Sequence, residues 1–289
     1  GGKDPMIICD DADLDQAVGA AMLGVYTACG QMCVGAERLY VMDGIYDRFV
    51  AEVTAQVRAL RQGPPAFEPA QRGRFDVGAT TMPRQLEIIE RQIADAVGKG
   101  AQVRVGGRRN PHWPGQFFEP TVLTDVNPTM DIVQQETFGP VMTIQRVRDE
   151  EEAIQLANAT QYGLGSSVFT KDPARAERIA ARVSAGMTVV NDYGIAYMVQ
   201  SAPFGGLRIS GVGHINGREG LRACCHVKTV VTDRVPIHAS MSLYPVRSGT
   251  FPLLTGAVSL IYGRGLPPRA RAALRIAQSA LQIARDKLR

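Results

Sequence analysis

Between residues 102 and 191 the chain alternates short β-rich runs with helical spacing, joined by links of a few residues, and few folds accommodate that order. Gln102–Val105 and Val141–Val147 are expected strands, as are residues 166–170 and 187–191, with residues 117–123 extended around Pro120. Residues 150–157 and 174–183 are expected helices. Strand, helix, strand with short links predicts crossover units, and hence an α/β fold with a mostly parallel sheet flanked by helices. Upstream, the acidic run Asp10-Asp11-Ala12-Asp13 precedes an Ala/Leu/Val/Gly stretch over 13–29, the pattern of a helix start. Residues 37–42 alternate like a strand and 47–60 return to helical spacing. Residues 62–79 form a loop punctuated by Gly63, Pro64, Pro65 and Pro69. Pro83 then opens a long helix to about residue 97, ended by Gly98 and Gly100. The Gly-rich stretch 192–213 is irregular, and a long loop within a compact domain points to function.

Composition narrows the function classes. Of 289 residues 45% are hydrophobic and 21% charged, ample for a buried core. A net charge of +4 is too small to argue for nucleic acid, and no nucleic-acid partner is expected. The five cysteines (Cys9, Cys29, Cys33, Cys224 and Cys225) are odd in number and follow no signal peptide, so a reducing cytoplasm is expected rather than a disulfide framework. No Cys pair faces a second Cys or His pair at finger spacing, and no metal is expected. No apolar run reaches the roughly 18 to 20 residues that span a bilayer.

The chemistry-bearing candidate is Cys33, in Gly30-Gln31-Met32-Cys33 just beyond a helix of small residues. A cysteine in a loop at the end of a rigid element is reactive when its thiolate is exposed and stabilised. A lone Cys near apolar residues is ordinarily packing, and Cys29 is read that way. Taken together, however, the motifs of this chain resemble those of the aldehyde dehydrogenase superfamily. Gly1-Gly2-Lys3 looks like the end of its Glu-Leu-Gly-Gly-Lys phrase, and Gly-Gln-Met-Cys like its nucleophile motif. Gln135-Glu136-Thr137-Phe138-Gly139-Pro140-Val141 is similar to its cofactor-ribose motif. Asn191, Pro203-Phe204-Gly205-Gly206, Ser210-Gly211-Val212-Gly213 and Lys228-Thr229-Val230 follow in the family's order, so the resemblance covers residues 1 to 232.

The resemblance implies that Cys33 attacks an aldehyde, that backbone N–H groups hold the oxyanion, and that NAD or NADP takes up the hydride. A thioester then remains for water to cleave. It also implies that Glu136 accepts hydrogen bonds from the nicotinamide ribose, that Phe138 packs near the nicotinamide, and that Gln85 is a further cofactor-side contact, although a Gln on a long helix is usually solvated. Pro203 to Gly206 is expected as a close-approach segment, and Asn191 to end a strand and tie loops through its amide. Two alternatives stay open. In one, coenzyme A accepts the acyl group. In the other, the chain is an inactive truncated subunit acting as an interaction scaffold.

Departures from the family pattern add expectations. An opening on Gly1 places the family's general base, two residues before the first Gly, upstream of this sequence, together with the dinucleotide domain and the Asn of the oxyanion hole. No G-x-G-x-x-G fingerprint occurs in a strand-to-helix setting. The chain alone is therefore expected to be inactive, as part of an intact NAD(P)-dependent enzyme. After Ser-Gly-x-Gly the family reads Gly-Arg-Glu, whereas this chain has His214-Ile215-Asn216; Arg218-Glu219 follows with shifted phase.

The domains are expected as a catalytic domain over 1–213, its end and an oligomerisation strand (near 227–232) over 214–232, and a C-terminal extension over 233–289. In the family such a strand helps pair subunits, so a homo-oligomer is expected. From Arg264 onward there are seven Arg/Lys against one Asp. Residues 248–262 are apolar, and beyond Gly265 a stripe of Leu274, Ala277, Leu281, Ala284 and Leu288 runs among Arg271, Arg275, Arg285 and Lys287, predicting a basic amphipathic helix. Its stripe is read either as docked on the protein's own oligomer or as a peripheral contact with an anionic membrane surface. The Tyr244-Pro245 phrase and apolar tail loosely resemble the fatty-aldehyde type of the superfamily.

Overall fold

The computed structural model describes residues 1–65, 72–232, 244 and 246–287, which form two compact units, 1–227 and 228–289. The first unit is an α/β layer structure around a seven-stranded sheet. Its strands are β1 (Asp4–Ile8), β2 (Ala36–Met42), β3 (Gln102–Val105), β4 (Thr121–Thr124), β5 (Val141–Val147), β6 (Ser167–Phe169) and β7 (Val189–Val190), in the order β3-β4-β5-β2-β1-β6-β7. Every pairing is parallel except that of the edge strand β3 with β4. The helices are α1 (Leu14–Tyr26), α2 (Asp43–Ala59), α3 (Pro83–Gly98), α4 (Asp131–Gln134), α5 (Glu150–Asn158), α6 (Pro173–Ala180) and α7 (Gly217–Ala223).

Strand periodicity assigns the layers. Met6 and Ile8 of β1 join Leu39 and Val41 of β2 in a core under α1 and α2. Ile7, Tyr40 and Met42, one residue out of phase, join Ala153 and Ile154 of α5 and Ile179 of α6 on the other face. A third cluster sets Leu86, Ile89 and Ile93 of α3 against Phe118, Leu123 and Val141. Helix starts follow local chemistry: Asp13 and Asp149 accept from the N–H groups of Gln16 and Glu152 at 3.0 and 2.9 Å, and Pro83 occupies the first turn of α3.

The fold class stands as expected, with two local differences from the sequence reading. β1 carries no strand expectation, yet it lies between β2 and β6, buried at all five positions. Residues 227–232 form no strand within this chain, and Val227, Val230 and Val231 are largely exposed. The first unit ends at Val227 and includes α7.

In the second unit, α8 (Thr250–Tyr262) and α9 (Leu266–Lys287) pack on each other. The α9 helix is where the basic stripe predicts one, but its inward face differs. Ala272, Ile276, Ser279 and Ile283 turn towards α8, whereas Leu274 and Leu281 are 60% and 64% exposed. Gly249 and Gly256 explain the choice: a Cβ on either would lie 2.8 Å from α9 atoms, so only small residues allow this approach. Residues 233–243, Pro245 and Leu288 lie outside the described residues. No described helix is long and apolar enough to cross a membrane.

Candidate active site

Cys33 occupies a tight turn between α1 and β2, closed by the Gly35 N–H donating to the Met32 carbonyl at 2.8 Å. The chain reaches it through a 3-10 turn, Thr27–Gly30, in which Ala28, Cys29 and Gly30 have φ of 52°, 59° and 73°. Left-handed backbone at two non-glycine residues is costly and is kept only where the surroundings impose it. Gly30 shows what imposes it here, because a Cβ there would sit 2.1 Å from the Gly139 carbonyl oxygen. The nucleophile turn is thus pressed directly onto the Glu136–Pro140 segment.

Cys33 is exposed, whereas Cys9 and Cys29 are buried and their thiols are pushed up to about 12 by burial. That places Cys29 in the core, as read from the sequence. Partial burial also raises the Cys33 thiol, helped by the Asp4 and Glu136 carboxylates and opposed by a hydrogen bond from the Val34 N–H. Tyr193 buttresses the turn, its hydroxyl donating to the Val34 carbonyl at 2.8 Å and its ring filling the space where a Cβ on Gly24 would come within 2.9 Å. Sequence reasoning missed Tyr193, whose role depends on a contact across 159 positions with no local signature.

Gly1 and Gly2 join the two motifs. The Gly2 N–H donates to Glu136 Oε1 at 3.0 Å, and a Cβ on Gly2 would stand 2.2 Å from the Cys33 carbonyl oxygen. A Cβ on Gly1 would stand 2.1 Å from Glu136 Oε2. Only a side-chain-free backbone passes between Cys33 and Glu136. Burial raises the Glu136 carboxyl, with the Gly2 hydrogen bond opposing it.

Glu136 and Phe138 are half-buried on one fixed segment, where Phe138 has φ +50°. Gln85 is buried rather than solvated: its amide donates to the Thr137 carbonyl from α3, so it holds the segment by its backbone. An acceptor-only carboxylate and an aromatic ring two positions apart fit, in donor chemistry, a ribose diol beside a flat ring. Asn191 caps β7, accepting from the Thr170 N–H at 3.0 Å and donating to the Thr170 carbonyl at 2.9 Å. Phe204–Gly205 pairs as strand β8 with β9 (His214–Ile215), and a Cβ on Gly205 would strike the Gly213 carbonyl and the His214 ring. His214 is thus a packing residue, while Ile215, Arg218 and Glu219 are exposed.

Against known proteins, the model of the aldehyde dehydrogenase family matches residues 1–230. An aldehyde dehydrogenase-like protein of Schizosaccharomyces pombe is 35% identical over 272 residues, 91% of this chain and 51% of its own length, a match that reaches beyond residue 230. A succinate-semialdehyde dehydrogenase [NADP(+)] of Deinococcus radiodurans is 44% identical over 216 residues, 74% of this chain and 43% of its own. The crystal structure of betaine aldehyde dehydrogenase from Staphylococcus aureus in complex with NAD+ superposes with a TM-score of 0.72 at 38% identity, over 77% of this chain and 44% of that one. The chain spans about half the length of the curated relatives it matches.

Proposed function

Because this chain belongs to the aldehyde dehydrogenase family, we propose that the protein oxidises an aldehyde to its carboxylic acid with NAD or NADP, using Cys33 as nucleophile. The observation that carries this reading is the passage of Gly1 and Gly2 between the Cys33 carbonyl and the Glu136 carboxylate, which brings three motifs distant in sequence to one place. One relative is an NADP(+) enzyme by name and a solved neighbour holds NAD+, which supports a nicotinamide dinucleotide beside Glu136 and Phe138.

In this reading the Cys33 thiolate forms a bond to the aldehyde carbon, and the carbonyl oxygen takes the displaced electron pair. The Cys33 backbone N–H, at the rim of its rigid turn, helps to hold that oxyanion. The bound dinucleotide supplies the hydride acceptor. Cys33 Sγ then carries a thioester, and attack by water breaks the C–S bond, releases the acid and returns the thiol. Partial burial raises the Cys33 thiol, which disfavours the attacking thiolate, and Gly1–Arg289 alone is proposed to be inactive.

Mass-spectrometric mapping of a thiol-directed electrophile at pH 7 tests this. In the full-length protein Cys33 is expected to label far faster than Cys224 and Cys225 and to be protected by aldehyde. In the chain alone it is expected to label no faster than they do. Unprotected, slow labelling in the full-length protein, or aldehyde oxidation surviving Cys33→Ser, would sink the assignment.

For partners, we propose a homo-oligomer and a peripheral contact of the second unit with an anionic membrane surface. The latter is favoured by the exposed Phe251, Val258, Ile261 and Tyr262 of α8 together with the exposed Arg271, Arg275 and Arg285 of α9.

A further inference from the structure

We propose that Glu37, paired with Lys3, is the positioning residue of the cofactor segment: its two carboxylate oxygens fix the backbone at Thr137 and Phe138, and so aim the Glu136 carboxylate and the Phe138 ring. This rests on the assignment of Glu136 and Phe138 to the cofactor. The Thr137 N–H donates to Glu37 Oε2 and the Phe138 N–H to Glu37 Oε1, each at 2.8 Å. Two successive N–H groups converging on one anion are what a turn through a left-handed residue offers, and Phe138 is left-handed at φ +50°. The strained conformation thus has a partner that rewards it.

Glu37 is itself held on every side. It projects from the fully buried strand β2, its own carbonyl accepts from the Thr143 hydroxyl at 2.7 Å, and its carboxylate is paired with the buried Lys3 ammonium. Lys3 also donates to the Thr137 hydroxyl at 2.9 Å, directly after the glycines that pass between Cys33 and Glu136. Burial pushes the Lys3 ammonium down, and the Glu37 carboxylate opposes that shift. Gln85 and Gln92 take the Thr137 and Glu136 carbonyls from α3, and a Cβ on Gly139 would collide with Ile89 at 2.4 Å. Packing from α3 therefore limits where the segment can go, while Glu37 decides which way its N–H groups face. A neutral amide at position 37 would offer one acceptor to two donors and turn its own N–H groups towards Thr137, Phe138 or Lys3.

The test is steady-state kinetics of the full-length protein carrying Glu37→Gln, Glu37→Asp or Glu136→Ala, with thermal melting and Cys33 alkylation measured on each. Glu37→Gln is expected to raise the KM for NAD or NADP by at least about tenfold, with kcat and the Cys33 alkylation rate changed less than about threefold. Glu37→Asp keeps the charge for Lys3 but falls short by one methylene, so it folds more readily and is expected to raise the same KM by about threefold or more. A lowered melting temperature with an unchanged cofactor KM in both position-37 variants, while Glu136→Ala raises it, would overturn the proposal and leave the cofactor assignment standing. An unchanged KM in Glu136→Ala would overturn the assignment and the proposal together.

Discussion

Asp4 is wholly buried at the head of β1, with the Gly165 N–H as a hydrogen-bond donor and Oδ1 without a partner among the described residues. Burial raises its carboxyl from 3.8 to about 7. Between those values the native state holds a proton that the unfolded state has lost, so this group's stabilisation is complete at low pH and is lost as pH rises through about 7. The slope it imposes is at most about 1.4 kcal/mol per pH unit. Asp4→Asn is expected to flatten that fall in urea titrations from pH 4 to 8, and to lower the Cys33 thiol pKa read by alkylation, because the ionised Asp4 raises it. A mutant whose pH–stability curve overlays the parent would dismiss Asp4 as the titrating group. Gly30→Ala imposes a Cβ both on φ +73° and on the Gly139 carbonyl, and should cost roughly 2–4 kcal/mol. A urea midpoint within error of the parent would contradict the close packing of the two motifs. Cys33, Glu136 and Phe138 stand out in the sequence because they sit inside contiguous phrases. Asp4, Glu37 and Tyr193 were not, because their importance lies in what the fold sets against them.

Elements with a start signal were read well. Pro83 and Asp13 mark their helices by chemistry that acts within one turn, and the strands from Gln102 onward stand between clear breakers. β1 went unread for a physical reason: a strand covered on both faces needs no polar alternation, and Asp-Pro-Met-Ile-Ile behaves like any short apolar run. β2 was read from an alternation that does not reflect exposure, since all seven residues are buried. Its Arg38 spans the layers, donating to the Lys3 carbonyl at 2.8 Å and to the Leu156 and Ala157 carbonyls at 3.0 and 2.9 Å. Those two carbonyls belong to the last turn of α5, where the Leu156 carbonyl also accepts from the Ala159 N–H. Arg38→Met would remove the guanidinium donors to the Lys3 and Ala157 carbonyls, while the Leu156 carbonyl keeps the Tyr40 hydroxyl and the Ala159 N–H, and is expected to cost about 3 kcal/mol. Hydrogen exchange should show α5 opening in that variant well before α2, and uniform protection across both helices would refute the capping role.

At the scale of the whole chain, the two units differ in how completely they bury their apolar surface. The sheet unit has cores on both faces of its strands, whereas the α8–α9 pair sets Gly249 and Gly256 against Ile283 and Ile276 of α9 and leaves most of its other large side chains outward. The sequence pattern located α9 but could not show its facing, because the glycines that admit Ile276 and Ile283 lie outside that helix. What remains outward is Phe251, Val258, Ile261 and Tyr262 on a helix with no charged residue, and Leu274 and Leu281 beside Arg271, Arg275 and Arg285. On the proposed membrane contact that apolar surface is covered by lipid, and each basic group adds about 1 kcal/mol near an anionic leaflet. The chain should therefore sediment with vesicles containing phosphatidylserine, and the bound fraction should fall with rising salt. Replacing Phe251, Val258 and Ile261 by Ser should abolish sedimentation at any salt concentration, while changing Arg271, Arg275 and Arg285 to Gln should abolish only the preference for anionic vesicles. Concentration-dependent self-association that the Ser changes remove, with no sedimentation in either lipid, would instead assign this face to a second copy of the chain.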